Sequence, residues 1–280
     1  MAKANGAGPG MVRRSGPAGE RHLRKRSTRK SLPPALPLVH ATAAFFAGEI
    51  LRAGRLETRK CRVFGPKMIY FFVMRTDYRS RAGDEKSHRV NAFPAVFVMK
   101  PAITEVPLHV YPFDTGAGHA GIFSDRADPL IPLNDYELDQ SLEAAVGHIE
   151  WAFGTTADYF DGRLRAEVRD GVPIHETVTR SFLDVAQMGR KGSNAHDRRA
   201  SAVEIAVDHD VDLKGNVLLA ILPDKWLEDE GMRNVVVLER LAAHDIDVTT
   251  YEWRPNTPPD EYQETIAEIA REWYRDNEWL

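Results

Sequence analysis

Gly65-Pro66-Lys67-Met68-Ile69-Tyr70-Phe71-Phe72-Val73-Met74-Arg75 is the stretch whose reading sets the fold. The Gly-Pro dipeptide makes a turn. The run Ile69–Val73 that follows is β-branched and aromatic, the composition of a buried strand. Alternation along it puts Tyr70 and Phe72 on one face and Phe71 on the other. Upstream, Leu38-Val39-His40 reads as a short strand. Thr42 is placed to cap a helix that carries Phe45, Phe46, Ile50 and Leu51 on one side and stops at Gly54. Downstream, Ala95–Met99 and Val106–Tyr111 read as strands, and Leu138–Phe153 as an amphipathic helix closed by Gly154. Ala202–Val207, Val217–Leu222 and Asp247–Trp253 read as further strands. Val235–Ala243 reads as a helix, and Tyr262, Ile266, Ile269 and Trp273 mark a last helix behind Pro258-Pro259. Strands dominate the middle without regular βαβ alternation, which predicts an α+β domain over residues 33–280. Residues 155–185 give no clear pattern and read as an insertion within it.

Charge divides the chain unevenly. Residues 1–32 carry nine Lys/Arg (Lys3, Arg13, Arg14, Arg21, Arg24, Lys25, Arg26, Arg29, Lys30) and one acid, Glu20, so the remainder holds 28 Lys/Arg against 40 Asp/Glu. A leader so charged, rich in Gly and Pro and poor in large apolar residues, is expected to be disordered. It is free either to meet phosphates or merely to be solvated. No apolar run reaches membrane-span length, and none of signal-peptide length follows the basic start. The lone Cys61 rules out an intramolecular disulfide and a Cys-rich zinc site, and the cytoplasm is the expected compartment.

Four stretches could carry chemistry. His40, in Leu38-Val39-His40-Ala41-Thr42, ends a strand at the lip of a sheet, where it could donate to a ribose hydroxyl or serve as a structural histidine. Tyr70, Arg75, Tyr78 and Arg79 offer ring faces for stacking and cations for phosphates, although one face of the Phe71–Phe72 pair must be core. Glu204 interrupts the apolar run of Ser201-Ala202-Val203-Glu204-Ile205-Ala206-Val207. A carboxylate there needs a task or a partner, or else an exposed position on an edge strand. Asp114-Thr115-Gly116-Ala117 has the local form of an aspartic-protease motif but no second copy, so Asp114 reads as a turn residue accepting main-chain hydrogen bonds. Asp208, Asp210 and Asp212 open like a calcium loop, yet Leu213 and Leu219 stand where Gly and Glu are needed. No metal site is expected, and Gly116, Gly118 and Gly121 do not form a dinucleotide-binding phosphate loop.

Taken in order, His40-Ala41-Thr42, Ile69-Tyr70-Phe71-Phe72 and Ser201-Ala202-Val203-Glu204 resemble the ADP-ribosyltransferase superfamily. The likeness is to its His-Tyr-Glu branch, which includes diphtheria toxin and the poly-ADP-ribose polymerases. Tyr70 to Arg75 and Leu38–Leu56 also look like elements of DNA-targeting ADP-ribosyltransferase toxins. The resemblance spans residues 36–225. It implies a split mixed or antiparallel sheet with peripheral helices, and NAD as substrate. His40 would bind the adenosine ribose, Ala41 main chain the nicotinamide amide, and Tyr70, with Tyr78 as a second face, the nicotinamide ring, with Thr42 also among the cofactor-binding residues. Arg75 would steady the pyrophosphate or the acceptor, and Glu204 would be the catalytic carboxylate, all converging on one pocket. Ala202 stands where arginine-modifying relatives carry a glutamate, so a guanidinium acceptor is not implied. Ala41 stands where the family has glycine. The implied activity is transfer of ADP-ribose, with release of nicotinamide, by a toxin or defence effector. Nucleic acid is preferred over protein as acceptor, from the basic leader and from Arg190, Lys191, Arg198 and Arg199 in the loop Gln187–Arg199. The alternatives are an NAD glycohydrolase and a non-catalytic nucleic-acid-binding module of the same fold.

Overall fold

The computed structural model describes residues 8–15, 19, 22–27, 31–78, 89–190 and 196–280. Its main strands are β1 (Leu38–Ala43), β2 (Lys67–Val73), β3 (Pro94–Met99), β4 (His109–Tyr111), β5 (Glu204–Val207), β6 (Val217–Pro223) and β7 (Val248–Tyr251). Its main helices are α1 (His22–Arg26), α2 (Ala44–Ala53), α3 (Leu142–Phe153), α4 (Thr177–Ala186), α5 (Val235–Ala243) and α6 (Gln263–Asp276). The class is α+β, with a mixed sheet and several helices. The chain falls into two compact units, where the sequence suggested a single domain. The first comprises residues 1–35, 61–65 and 105–206, and the second residues 36–60, 66–104 and 207–280.

The second unit is built on a sheet with strand order β7-β6-β3-β1-β2. All neighbours are antiparallel except β6 and β7, which run parallel. The middle strand β3 is buried along its whole length, as its uninterrupted Pro-Ala-Val-Phe-Val-Met sequence requires. β1 pairs with β3 over six residues, but with β2 its register covers Leu38↔Val73 and Val39↔Phe72 alone. Helix α2 starts after Ala43, which makes no side-chain cap, so Thr42 is the penultimate residue of β1 and not the expected cap. It ends at Gly54, whose φ of +71° glycine adopts without strain. Helix α5 lies against α2 through His244 Nε2 to Leu51 O at 3.2 Å. The α6 hydroxyl of Tyr274 donates to Met74 O at 2.8 Å, and Tyr251 on β7 donates to Pro94 O at 2.8 Å. These bonds let two buried phenols satisfy their polar ends inside the core.

The first unit packs α1, α3 and α4 with the antiparallel ribbon β4–β5. Ser141 caps α3 by accepting from Ala144 N at 3.0 Å, and Gly154 at φ +89° ends it. Leu138 therefore precedes the helix instead of opening it. Residues 155–185, which read as an insertion, belong to the core of this unit. Tyr159, Phe160 and Phe182 are fully buried, and the Tyr159 hydroxyl accepts from Val203 N at 2.9 Å at the entrance to β5. Gly162 at φ +67° permits a close approach, since a Cβ there would lie 2.4 Å from Gly189 O.

The described residues of the leader are packed on the first unit, where composition suggested a disordered tail. Met11 and Leu23 are buried, and four of its arginines are held within the unit. Arg13 lies over the Phe64 ring at 4.9 Å and donates to Phe64 O. Arg14 donates to Leu130 O, and Arg24 to Glu137 O and Oε2. Arg26 grips Glu176 with two bonds of 2.7 Å. Glu150 accepts from Ser31 N at 2.9 Å and from Ser31 Oγ at 2.8 Å. Composition undercounted the leader because its partners are acids of the body, which charge tallies treat as a separate region. Lys3, Arg21, Arg29 and Lys30 lie outside the described residues, as do residues 79–88 of the charged loop and Lys191. Among the described residues no helix is long and apolar enough to cross a membrane, and no group of three His, Cys, Asp or Glu could hold a metal ion.

Candidate functional site

In the second unit, His40 and Tyr70 are neighbours. The His40 Nδ1 lies 3.0 Å from the Tyr70 carbonyl oxygen, and the His40 ring packs edge-on against Phe71 at 5.8 Å. This contact sits where the β1–β2 ladder stops. A carbonyl only accepts, which fixes the proton on Nδ1. Burial pushes the imidazole below its usual range, against the bond to Tyr70 and with the added repulsion of Arg59. The ring is therefore neutral near pH 7 and its Nε2 carries a lone pair. A ribose hydroxyl would donate to His40, reversing the donor role the sequence suggested.

His40 meets the main chain of Tyr70, and pleat alternation aims the half-buried Tyr70 ring to the face opposite Phe71. Ala41 and Thr42 are half-buried on β1, and Tyr78 is half-buried beyond β2. Arg75 is placed differently from the expectation. It is fully buried, and its Nε pairs with Asp77 Oδ2 at 2.8 Å. Met74 at φ +55° turns the chain inward, with Arg75 N bonded to Val73 O at 2.6 Å. The guanidinium is thus a core cation met by a core carboxylate, and not a solvent-facing phosphate contact.

Glu204 belongs to the first unit. It opens β5 opposite Tyr111 of β4, and is only 5% exposed, which disposes of the exposed edge-strand reading. Its partner comes from the Asp114-Thr115-Gly116 motif. The Thr115 hydroxyl donates to Glu204 Oε1 at 2.5 Å, and the Thr115 main-chain N–H donates to Oε2 at 3.3 Å. Asp114 accepts from Ala117 N at 2.9 Å, the turn role expected of it, and from Arg199 Nη1 at 3.2 Å. Arg199 is itself held by Asp197, with bonds of 3.0 Å and 2.8 Å to its two oxygens. Burial, then the nearby charge of Asp114, push the Glu204 carboxyl well above the usual carboxylate range, against both bonds from Thr115. Burial likewise raises Asp114, opposed by the Arg199 guanidinium and the Ala117 N–H. Two buried carboxyls so coupled hold protons more readily than either would alone.

Beside Glu204 stands a second group that sequence reading missed. Residues at i and i+2 of a strand share a face, so His109 and Tyr111 lie on one face of β4, with Glu204 directly across from Tyr111. His109 Nδ1 is 2.9 Å from Glu137 Oε1, and the imidazole stacks on Phe64 with centroids 4.4 Å apart and planes 24° from parallel. Phe64 is fixed by a tight turn in which Cys61 Sγ accepts from the N–H groups of Val63 and Phe64. Burial raises the Glu137 carboxyl, but its hydrogen bond to His109 and the charges of His109 and Arg24 outweigh this, holding it below its ordinary range. Burial drives the Tyr111 phenol far above its usual value. The only hint of this group in the sequence was the alternation His109-Val110-Tyr111, since Glu137 and Phe64 are distant along the chain.

Comparison with protein-family models, curated proteins and solved structures returned no match. The chemistry of the side chains therefore carries the functional reading.

Proposed function

We propose that the protein cleaves the nicotinamide–ribose bond of NAD and transfers ADP-ribose to an acceptor macromolecule. The observation that carries this is the environment of Glu204, a lone carboxyl on an otherwise apolar strand, held through both oxygens by Thr115. Breaking an N-glycosidic bond to a cationic nicotinamide leaves positive charge on the ribose C1′. A fixed, water-poor carboxylate stabilises that charge far better than solvent does. The resemblance of the His40, Tyr70 and Glu204 segments to the His-Tyr-Glu transferases supports the same reading. In it Glu204 serves the nicotinamide ribose. The raised Glu204 carboxyl implies that turnover increases with pH as Glu204 ionises.

The acceptor is a nucleic acid or a protein. Of the loop arginines that suggested nucleic acid, Arg190 is exposed, whereas Arg199 is engaged by Asp114 and Asp197, and Arg198 lies over the Phe160 ring. Incubation of the full chain with NAD labelled in the adenylate moiety, with DNA, RNA and a protein lysate, tests the proposal. Label on a macromolecule is transfer, and free labelled ADP-ribose with nicotinamide is hydrolysis. Glu204→Gln should lower nicotinamide release by roughly 10²-fold or more while NAD binding persists. NAD left intact by the wild-type protein in every mixture would refute the assignment.

A further inference from the structure

Glycosyl transfer needs more than a carboxylate that stabilises C1′. If the acceptor is a hydroxyl, an amine or water, its proton must go somewhere as the new bond forms. Glu204 is committed to another task, because its charge is needed at C1′ while the Thr115 hydroxyl and main-chain N–H hold its oxygens.

His109 has the features of the missing base. Its Nδ1–H is spent on Glu137, a carboxylate held below its ordinary range by that hydrogen bond and by Arg24. That leaves Nε2 with the lone pair, in the tautomer a base requires. The ring is held by its stack on Phe64 and its bond to Glu137, so its orientation is fixed before any substrate arrives. Its side chain is 19% exposed, so an acceptor can reach it. The antiparallel register puts His109 opposite Ala206 and Tyr111 opposite Glu204. His109 and Glu204 are thus diagonal neighbours on one face of the ribbon, with Cβ atoms about 7 Å apart. That register sets a carboxylate and a base on one face. The charged and titratable groups around the imidazole are Glu137 with Arg24 and Asp139 behind it, Tyr111, and Arg13 beyond Phe64.

We propose that His109, oriented by Glu137, is the catalytic base that activates the acceptor in the reaction assigned above, and the inference rests on that assignment. As the acceptor oxygen or nitrogen bonds to C1′, the C1′–N1 bond to nicotinamide breaks. Its electron pair leaves on the ring nitrogen, which turns neutral. The acceptor proton passes to His109 Nε2, and the imidazolium formed is paired with Glu137 until solvent takes the proton. His109 is the catalytic residue here and Glu137 the positioning residue. The acceptor class is one whose nucleophilic atom carries a proton to be removed.

The experiment follows nicotinamide release by the full chain with NAD in buffer, so that water is the acceptor, across a pH series. His109→Gln should lower kcat by roughly 10²-fold, with the Kd for NAD unchanged. Glu137→Gln should lower kcat less, with the Kd for NAD unchanged, because the imidazolium formed in the step loses its counter-charge. His109→Ala should regain activity when imidazole is added, which a merely structural histidine would not do. A His109→Gln enzyme with wild-type kcat overturns the inference and leaves the proposed function standing. So does a His109→Ala enzyme that folds, binds NAD and is not rescued by imidazole. A wild-type protein that releases no nicotinamide overturns both.

Discussion

Replacing Thr115 by valine tests whether Glu204 is held as described. Valine keeps the shape of threonine and removes one hydroxyl, so no cavity complicates the reading. The lost contact is the 2.5 Å bond to Glu204 Oε1, buried at both ends. A hydrogen bond to a charged group contributes about 1.5–3 kcal/mol, and one to a neutral group about 0.5–1.5 kcal/mol. The bond favours the ionised carboxyl, so Thr115→Val should push Glu204 further above the carboxylate range. The cost should be near the lower figure in acid, where Glu204 is protonated, and near the upper figure once the pH exceeds its raised value. The wild type has its own pH signature. A carboxyl raised by folding contributes stability that is fully present below the ordinary carboxylate range and is lost as pH rises through the folded value. Denaturant unfolding of wild type, Thr115→Val, Glu204→Met and the double variant at a series of pH values reads both effects. The double variant pairs two apolar groups and should fall short of the sum of the single losses by roughly 1–3 kcal/mol. At about 2–4 °C per kcal/mol, the single Thr115→Val loss corresponds to a Tm drop of about 3–12 °C at high pH. Equal losses from Thr115→Val with and without Glu204, at every pH, would refute the arrangement.

Two further expectations concern the first unit. His148 is fully buried against Phe182, at 4.7 Å between ring centroids, and neither ring nitrogen has a hydrogen-bond partner among the described residues. Burial alone pushes its pKa down to about 3. It therefore stays neutral in the folded state but takes a proton once unfolded, so it costs stability as pH falls from about 6.5. His148→Leu should weaken this acid destabilisation by on the order of a few kcal/mol. Identical acid-unfolding midpoints in the two proteins would contradict that. The Arg26–Glu176 clasp should hold α1 in place at neutral pH. Arg26 is the first cause of the lowered Glu176 carboxyl, so the stabilisation is present above the ordinary carboxylate range and is lost as pH falls through the depressed value. Arg26→Ala should speed hydrogen exchange of the His22–Ser27 amides at pH 7, and added salt should do so partially in the wild type. Unchanged exchange in the variant would mean that the apolar contact of Leu23 suffices.

How much could be read in advance varied with the range of the forces involved. The runs Met68–Val73 and Ala95–Met99 became strands, and the apolar spacing of Ile266, Ile269 and Trp273 became a helix, because side-chain periodicity is a local property. Gly54 and Gly154 ended their helices for the same reason, as the left-handed conformation is a preference of one residue. Residues 155–185 failed because their short helices are stabilised by burying Tyr159, Phe160 and Phe182 against distant partners, and not by a long repeating face.

The linear chain by itself marked Glu204 as anomalous, since a charge inside an apolar strand is costly wherever that strand lies. It also made Asp114 a turn residue, but it ended the first strand at His40, whereas β1 runs on to Ala43. It could not name the partner of Glu204, because the Thr115 bond joins residues 89 apart in the sequence. Nor could it pair His109 with Glu137, or see that the leader's arginines are matched by Glu137 and Glu176. Desolvation and hydrogen-bond geometry act between neighbours in space, and only tertiary packing decides which neighbours those are. The same packing turned Arg75 from an expected phosphate contact into a buried partner of Asp77, and set the protonation of each group on which the proposed chemistry depends.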